Sequence, residues 1–473
     1  MSEEIERLLR SIPGVDSLLK EEAVAGRVSS SGREVVVKAL RKAAETVRQA
    51  IREGRLEGAG AEGMREALVD DALSRLDAAT RPHYRRAINA TGIILHTGLG
   101  RAVLSERAIS RISEHLRGYS LLQVETASGA RSKRDGRIEE LLVELTGAEA
   151  ATLVNNNAAA TLLVLNSIGA GKEVIVSRGQ LVEIGGAFRL PDVMAASGAE
   201  MVEVGTTNRT HPHDYENAIT ESTAAILRVH PSNYRIEGFA SEVSLEVLVR
   251  IAHDRGVFVI DDVGAGALID FSRFGFEKEP TLVESVAAGA DIITASADKL
   301  IGASQGGVIL GRRELIERVR KNPLWRAMRV GKLTLSAAEA TLSLFLDERL
   351  AISEVPTLRM VMRDSGSIAR EARRIARALK SAGVPGVVST FKGSSQMGSG
   401  SLPGQDLPTR LVGIRPDGIS VEELGELLRK AEPPVFTRIS EGRVLVDPRT
   451  LLAGEDKLVI SAIAAAMRPG AQK

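Results

Sequence analysis

The sequence predicts an α/β protein: a mostly parallel sheet flanked by helices, preceded by a helical domain and followed by a small α+β domain. Three observations carry this. From Ile88 onward, apolar bursts of strand length alternate with helical stretches, the pattern of a parallel sheet covered on both faces. Residues 1 to about 80 show helical spacing and no strand signal. From about Ser353 a long helical pattern leads into short strands.

The elements follow in order. Val36, Leu40, Ala43, Ala44, Val47 and Ile51 stand at helical spacing, so Val35–Ile51 is expected to be a helix. Ser29–Ser31 offer N-caps before it and Gly54 a stop after it. The Gly/Ala-rich stretch from Gly54 to Gly63 is expected to be a hinge, with a second helix near Arg65–Leu76. Expected strands are Ala151–Val154, Glu173–Ser177, Glu200–Val204, Ala224–Val229, Val257–Asp261, Ile292–Ala295 and Gly307–Leu310. The tail is expected to hold helices at Met360–Ala382, Glu422–Ala431 and Glu455–Met467. Short strands are expected near Arg410–Ile414, Val435–Ile439 and Arg443–Val446, and a Gly/Ser-rich loop at Lys392–Asp406. The domains expected are therefore 1–80, 81–350 and 351–473.

Composition bounds the chemistry. The 473 residues exceed one small domain. Hydrophobic residues make up 44% and aromatics only 3%, so the core must be built mostly from Val, Leu, Ile and Ala. The formal net charge is +1, so a nucleic-acid partner requires a local basic patch. There is no cysteine, which excludes disulfides, Cys-ligated zinc, iron–sulfur clusters and thiol catalysis, and is compatible with a cytoplasmic protein. The charged opening MSEEIERLLRSIPG lacks an apolar signal core. Charges or glycines interrupt every apolar run, so no membrane span is expected.

Ligands of open α/β sheets sit beyond the carboxyl ends of the strands, and four constellations lie there. The first is Ser296-Ala297-Asp298-Lys299, directly after a buried strand. A lysine there can be desolvated, which lowers its pKa and makes it a usable amine for a Schiff base. Ser296 could bond a cofactor phosphate. Taken alone, the same run also reads as an exposed turn lysine. The second is Asp262, at the end of Val257–Asp262. A carboxylate placed there suits the pyridine nitrogen of pyridoxal phosphate, keeping the ring protonated and electron-withdrawing; it also suits a helix N-cap or a metal ligand. Asp262 precedes Lys299 in the order and spacing of fold-type I pyridoxal-phosphate enzymes.

The third is Asn155-Asn156-Asn157-Ala158-Ala159-Ala160, between a strand and a helix. Small residues at a helix N-terminus let backbone N–H groups approach an anion, so Asn157, Ala158 and Ala159 are candidates to hold the cofactor phosphate. The plainer reading is an Asn-capped helix start. The fourth is a set of arginines: Arg101 in a Gly-rich turn, then Arg326 and Arg329, expected to share one helix face. Paired guanidiniums suit a phosphate-like anion, although a solvated basic helix face looks the same. His96 and His230 stand as further candidates, more often structural.

Several runs together resemble the bacterial selenocysteine synthase family, the L-seryl-tRNA(Sec) selenium transferases. These are Ile88-Asn89-Ala90-Thr91-Gly92, Leu95-His96-Thr97, Leu99-Gly100-Arg101-Ala102, Val154–Ala160, Glu183–Arg189, Glu203–Thr210, Ser232-Asn233-Tyr234-Arg235-Ile236, Asp298-Lys299-Leu300 and Ser401-Leu402-Pro403-Gly404. The likeness runs in order over nearly the whole chain. It includes an N-terminal segment opening with Ile12-Pro13-Gly14-Val15-Asp16, which truncated relatives lack. The chain departs from the family at Gly98 (usually Asn), Ala265 (usually Ser), Ala303 and Ser304 (usually Gly and Pro), and Gly331 (commonly acidic).

The resemblance implies a fold-type I pyridoxal-phosphate-dependent transferase. It implies Lys299 as the cofactor lysine, Asp298 before it, and Asp262 against the ring nitrogen. Arg101, Arg326 and Arg329 would grip the selenium donor, selenophosphate. It implies a tRNA-reading role for the N-terminal helices, a homo-oligomeric ring of dimers, and conversion of seryl-tRNA(Sec) to selenocysteyl-tRNA(Sec) by β-replacement through an aminoacrylyl intermediate. Loss of the seryl hydroxyl needs a general acid, and the sequence points to no single residue for it. Two other readings share parts of the pattern: a pyridoxal-phosphate ammonia-lyase or β-eliminase on a small phosphorylated amino or sugar acid, and a non-enzymatic RNA-binding protein on a retired fold of this type. The N-terminal helices argue against the first, and Lys299, Asp262 and Ser296 against the second.

Overall fold

The computed structural model describes residues 3–55, 61–186, 188–402 and 404–468. Residues 56–60 of the expected hinge, and Ala187 and Pro403 within the quoted runs, lie outside the described residues. The chain divides into two compact units, Met1–Arg86 and Ala87–Lys473.

The first unit is helical. Its longest described helices are Arg33–Arg52 and Ala61–Thr80. The first buries Val36, Leu40, Ala43, Ala44, Val47 and Ile51, the residues whose spacing predicts it. They close a small core with Met64, Leu68, Ala72 and Leu76 of the second. The serine caps are corrected. Ser29–Ser31 end a preceding helix, Glu22–Ser31, and Gly32 at φ 84° separates the two helices. A glycine reaches that conformation without the steric cost a side chain would bring, so it sets the break where serine chemistry suggested a start.

The second unit is built on seven strands: β1 (Ala150–Val154), β2 (Glu173–Ser177), β3 (Glu200–Val204), β4 (Thr223–Val229), β5 (Phe258–Gly264), β6 (Ile292–Ser296) and β7 (Gly307–Gly311). Their order across the sheet is β1-β7-β6-β5-β4-β2-β3. All neighbours are parallel except β7, which runs antiparallel to both β1 and β6. The seven expected strands are all present.

Side chains alternate across the sheet. Val174 and Val176 face a core shared with the helices Asn157–Gly169 and Arg313–Lys321. Ile175 faces the opposite core, shared with Gly136–Thr146, Leu245–His253 and Lys332–Leu342. The antiparallel strand brings the carboxyl ends of β1 and β6 together, because Gly307 is in register with both Val154 and Ser296. A Cβ on Gly307 would stand 2.1 Å from the Asn156 carbonyl oxygen, so only glycine lets the turn after β1 lie this close.

The tail forms a second, antiparallel sheet of β8 (Gly386–Ser395), β9 (Leu407–Pro416), β10 (Arg438–Ser440) and β11 (Arg443–Val446), in the order β8-β9-β11-β10. Two expectations fail here. The single helix Met360–Ala382 is two helices, Pro356–Val361 and Ser365–Ser381, because Asp364 caps the second by accepting from the Ser367 N–H at 2.7 Å. The expected loop Lys392–Asp406 begins instead inside β8. There Gly393 makes room for Leu411, whose side chain would lie 2.5 Å from a Cβ, so this glycine serves packing and not a turn.

The start of the unit is woven into this tail. Ile88–Asn89 pairs in parallel with Val435–Phe436, and the Leu95 N–H donates to the Met397 carbonyl at 2.7 Å. Asp447 accepts from Ser395 Oγ, Thr409 Oγ1 and the Arg449 N–H at 2.7–3.0 Å.

Candidate active site

Lys299 stands three residues beyond the end of β6 and is 5% exposed. Burial, and then the nearby Arg101 guanidinium, hold its amine below the ordinary lysine value, while Asp262, Asp298 and Glu279 pull it partly back. Such an amine gives up its proton more readily than a surface lysine.

Arg101 reaches the lysine through an unusual backbone. After the single turn Thr97–Leu99, Gly100 and then Arg101 both take positive φ, 92° and 63°. The guanidinium donates from Nη1 to Asp298 Oδ2 at 2.8 Å. Asp298 is thereby ion-paired with Arg101.

Asp262 lies within β5 and not just past it, at an irregularity where the β5–β6 register shifts between Asp262 and Gly264. Its carboxylate is buried and accepts from Asn157 Nδ2 at 2.9 Å, Thr161 Oγ1 at 3.0 Å and the Gly264 N–H at 3.2 Å. Burial pushes the carboxyl above its usual range, and these donors oppose the shift. A buried carboxylate fixed in this way favours a cationic partner.

The helix Asn157–Gly169 begins right after β1. Asn156 is its N-cap and accepts from the Ala159 N–H at 2.8 Å. The plainer reading of the Asn-rich turn is what the structure shows, with one asparagine as the cap; the next donates to Asp262, and Ala158 is exposed on the first turn. First-turn N–H groups lack intrahelical partners, which makes the turn suited to an anion. Ser296 closes β6 and is 7% exposed.

The remaining arginines are arranged differently from the expectation. Arg326 lies in the short helix Pro323–Ala327, but Arg329 lies beyond its end and bridges to Val154. They do not share a helix face, because the helix stops after Ala327. Both stand beside a third arginine that the sequence reading missed. Arg134 donates from Nη1 to the Val330 carbonyl at 3.1 Å. Burial, then Arg329 and Arg326, hold its guanidinium below the ordinary arginine value. No carboxylate lies within ion-pair distance of these three among the described residues.

Thr161 was also missed, although its place one turn after Asn157 on the same face was a usable signal. His96 is not brought to a partner through Nδ1, which is buried and unbonded.

The residues fit pyridoxal phosphate. A buried amine of lowered pKa suits the aldehyde, a buried carboxylate held by three donors suits a pyridinium nitrogen, and the small-residue helix start suits a phosphate. Among the described residues no cluster of His, Asp and Glu could hold a metal ion.

Residues 87–452 match the family described as L-seryl-tRNA selenium transferase, and residues 9–53 match that described as selenocysteine synthase N terminal. The chain belongs to the L-seryl-tRNA selenium transferase family. The L-seryl-tRNA(Sec) selenium transferase of Rhizobium meliloti (strain 1021) is 46% identical over 448 residues, 94% of this chain and 95% of that protein. That of Geobacter sulfurreducens is 46% identical over 455 residues, 96% and 98% of the two chains. Among solved structures, D-glucosaminate-6-phosphate ammonia-lyase superposes with a TM-score of 0.56 at 20% identity, covering 81% of this chain and 97% of that one. That likeness carries the fold alone, and the fold is fold-type I. No described helix is long and apolar enough to cross a membrane.

Proposed function

We propose that this chain converts seryl-tRNA(Sec) to selenocysteyl-tRNA(Sec) by β-replacement, as a pyridoxal-phosphate-dependent transferase acting in the cytoplasm. The observation that carries the reading is the buried pair Lys299 and Asp262 in a chain that belongs to the selenium transferase family. The cofactor, when bound, supplies an electron sink for the negative charge that develops at Cα.

The chain's own residues do the rest. Lys299 would hold the cofactor's aldehyde and is placed to take the Cα proton of the seryl group, a task suited to its lowered pKa. Asp262 keeps a proton on the group it faces, and Asn157 and Thr161 fix its orientation. Ser296, Ala158 and Ala159 would hold the cofactor's phosphate. Asp298 positions Arg101. Arg101, Arg326 and Arg329 hold the phosphate of selenophosphate as its selenium adds to Cβ. Residues 1–80 read the tRNA, and the chain works as a homo-oligomer, a ring of dimers.

The test is direct. Purified protein with pyridoxal phosphate and selenophosphate should place labelled selenium on seryl-tRNA(Sec) and not on seryl-tRNA(Ser). A protein that ignores both tRNAs and releases ammonia from a small amino acid would overturn the reading in favour of a lyase.

A further inference from the structure

A second, partly buried ionisable pair lies at the same carboxyl end of the sheet and has no part in the chemistry above. His230 directly follows β4, and its backbone N–H donates to the Asp262 carbonyl at 2.9 Å. That bond ties it to the strand carrying the ring-facing carboxylate. Its Nε2 lies 3.0 Å from Glu279 Oε2. The Glu279 side chain is 5% exposed and the His230 side chain 18%.

Among the described residues, Glu279 has no other hydrogen-bond partner for its carboxylate. An ionised carboxylate only accepts, so Nε2 carries a proton towards it. That assignment follows from the hydrogen-bond pattern. The other ring nitrogen, Nδ1, is then free for a partner outside the protein. The pair forms part of the wall of a cavity of about 200 Å³, which Gln180, Thr210, Tyr234 and Arg235 also line. Glu279 is also one of the charges that pull the Lys299 amine partly back towards its ordinary value.

A buried carboxylate behind an imidazole orients the ring. The reaction proposed above still needs a group that gives a proton, since hydroxide leaves poorly without one. We propose that His230, oriented by Glu279, gives the proton that lets the seryl β-oxygen leave. The inference rests on the reading that the chain acts on seryl-tRNA(Sec).

In this step the Cβ–O bond breaks and its electron pair goes to oxygen. The oxygen takes the Nδ1 proton and departs as water. Lys299 takes the Cα proton, and the Cα–H electron pair becomes the Cα–Cβ double bond. The neutral imidazole recovers a proton from solvent through its partly exposed side. Glu279 is a positioning residue, acting through His230.

The test compares two leaving groups on one tRNA, using holoenzyme. With seryl-tRNA(Sec), His230→Gln should lose about 10²- to 10⁴-fold in turnover, the usual worth of a positioned general acid. With β-chloroalanyl-tRNA(Sec), whose chloride needs no proton, the same variant should stay within about threefold of the unaltered enzyme on this mechanism. Glu279→Gln should show the same pattern with a smaller loss. The absorbance of bound cofactor and tRNA(Sec) retention on filters should be unchanged in both variants. A loss of equal size on both substrates, or loss of cofactor absorbance, assigns the pair a structural role and overturns the inference; so does full activity of His230→Gln on seryl-tRNA(Sec). An unaltered enzyme that fails on seryl-tRNA(Sec) overturns the functional reading itself, which keeps the two failures apart.

Discussion

Arg101 and Asp298 form an ion pair, Nη1 to Oδ2 at 2.8 Å, immediately beside the amine of Lys299. The pair sets two opposed charges on one lysine. Arg101 lowers its pKa and Asp298 raises it.

Removing either partner should therefore move Lys299 in opposite directions. The readout is the rate at which the apoprotein takes up pyridoxal phosphate as a function of pH, since only the neutral amine reacts. In the unaltered protein the rate should level off below the ordinary lysine value of about 10.4. Arg101→Met removes a neighbouring cation and should shift the curve to higher pH. Asp298→Asn removes a neighbouring anion and should shift it to lower pH. Two shifts of the same sign would mean that the ion pair does not govern this amine.

Asp262→Asn should keep the hydrogen bond from Thr161 and the fold, because it preserves shape, but it removes the charge that holds a proton on the facing group. Turnover should fall severely while thermal unfolding changes little. Loss of acid pairing in such a buried position is read best as kcat, with seryl-tRNA KM as the control. Near-normal kcat would mean that the ring nitrogen lies elsewhere.

Arg326, Arg329 and the unforeseen Arg134 make a cluster of cations without an ion-paired carboxylate among the described residues. If they grip the donor's phosphate, neutral replacements should raise the selenophosphate KM and leave seryl-tRNA binding nearly intact. Each charge-assisted contact is worth roughly 1.5–3 kcal/mol, about ten- to hundredfold in affinity. Inorganic phosphate should compete with selenophosphate in the unaltered enzyme and compete less well in each variant. A rise confined to the tRNA KM would reassign the cluster to the nucleic acid.

How much of this was legible in the sequence depended on range. The seven strands of the main sheet were readable because each is a short apolar run bounded by turn residues. The positions of Lys299 and Asp262 were readable because each stands at or after the end of an apolar strand, and the structure buries both. Arg134 was not, since its nearness to Arg329 arises from a hydrogen bond between residues 196 positions apart. Glu279 was hidden for the same reason: only the fold sets it against His230. The face-sharing of Arg326 and Arg329 failed because spacing alone gives no notice that a helix ends between them. Gly393 misled as a loop signal because its missing side chain answers Leu411 on the neighbouring strand.

The first unit has its own core of Leu18, Val36, Leu40, Leu68 and Leu76, among others. Deleting residues 1–80 should therefore leave the rest of the chain folded and still able to hold pyridoxal phosphate. It should abolish tRNA(Sec) binding, measured by filter retention. In the full chain that binding should weaken as salt rises, as phosphate-dominated contacts do. Unchanged affinity after truncation would take the tRNA-reading role away from these helices.

The pairing of Ile88–Asn89 with Val435–Phe436, and of Leu95 with Met397, has a consequence for the ribosome. The stretch that opens the second unit emerges early, yet its partners are made more than 300 residues later. At about 5–20 residues per second, it waits roughly 20–70 s before its backbone groups can pair. During that time the nascent chain carries an unmatched strand whose neighbours do not yet exist. The second unit is thus closed only when its tail is made, and a translation pause anywhere in the central sheet prolongs the interval in which its opening strand stays unpaired.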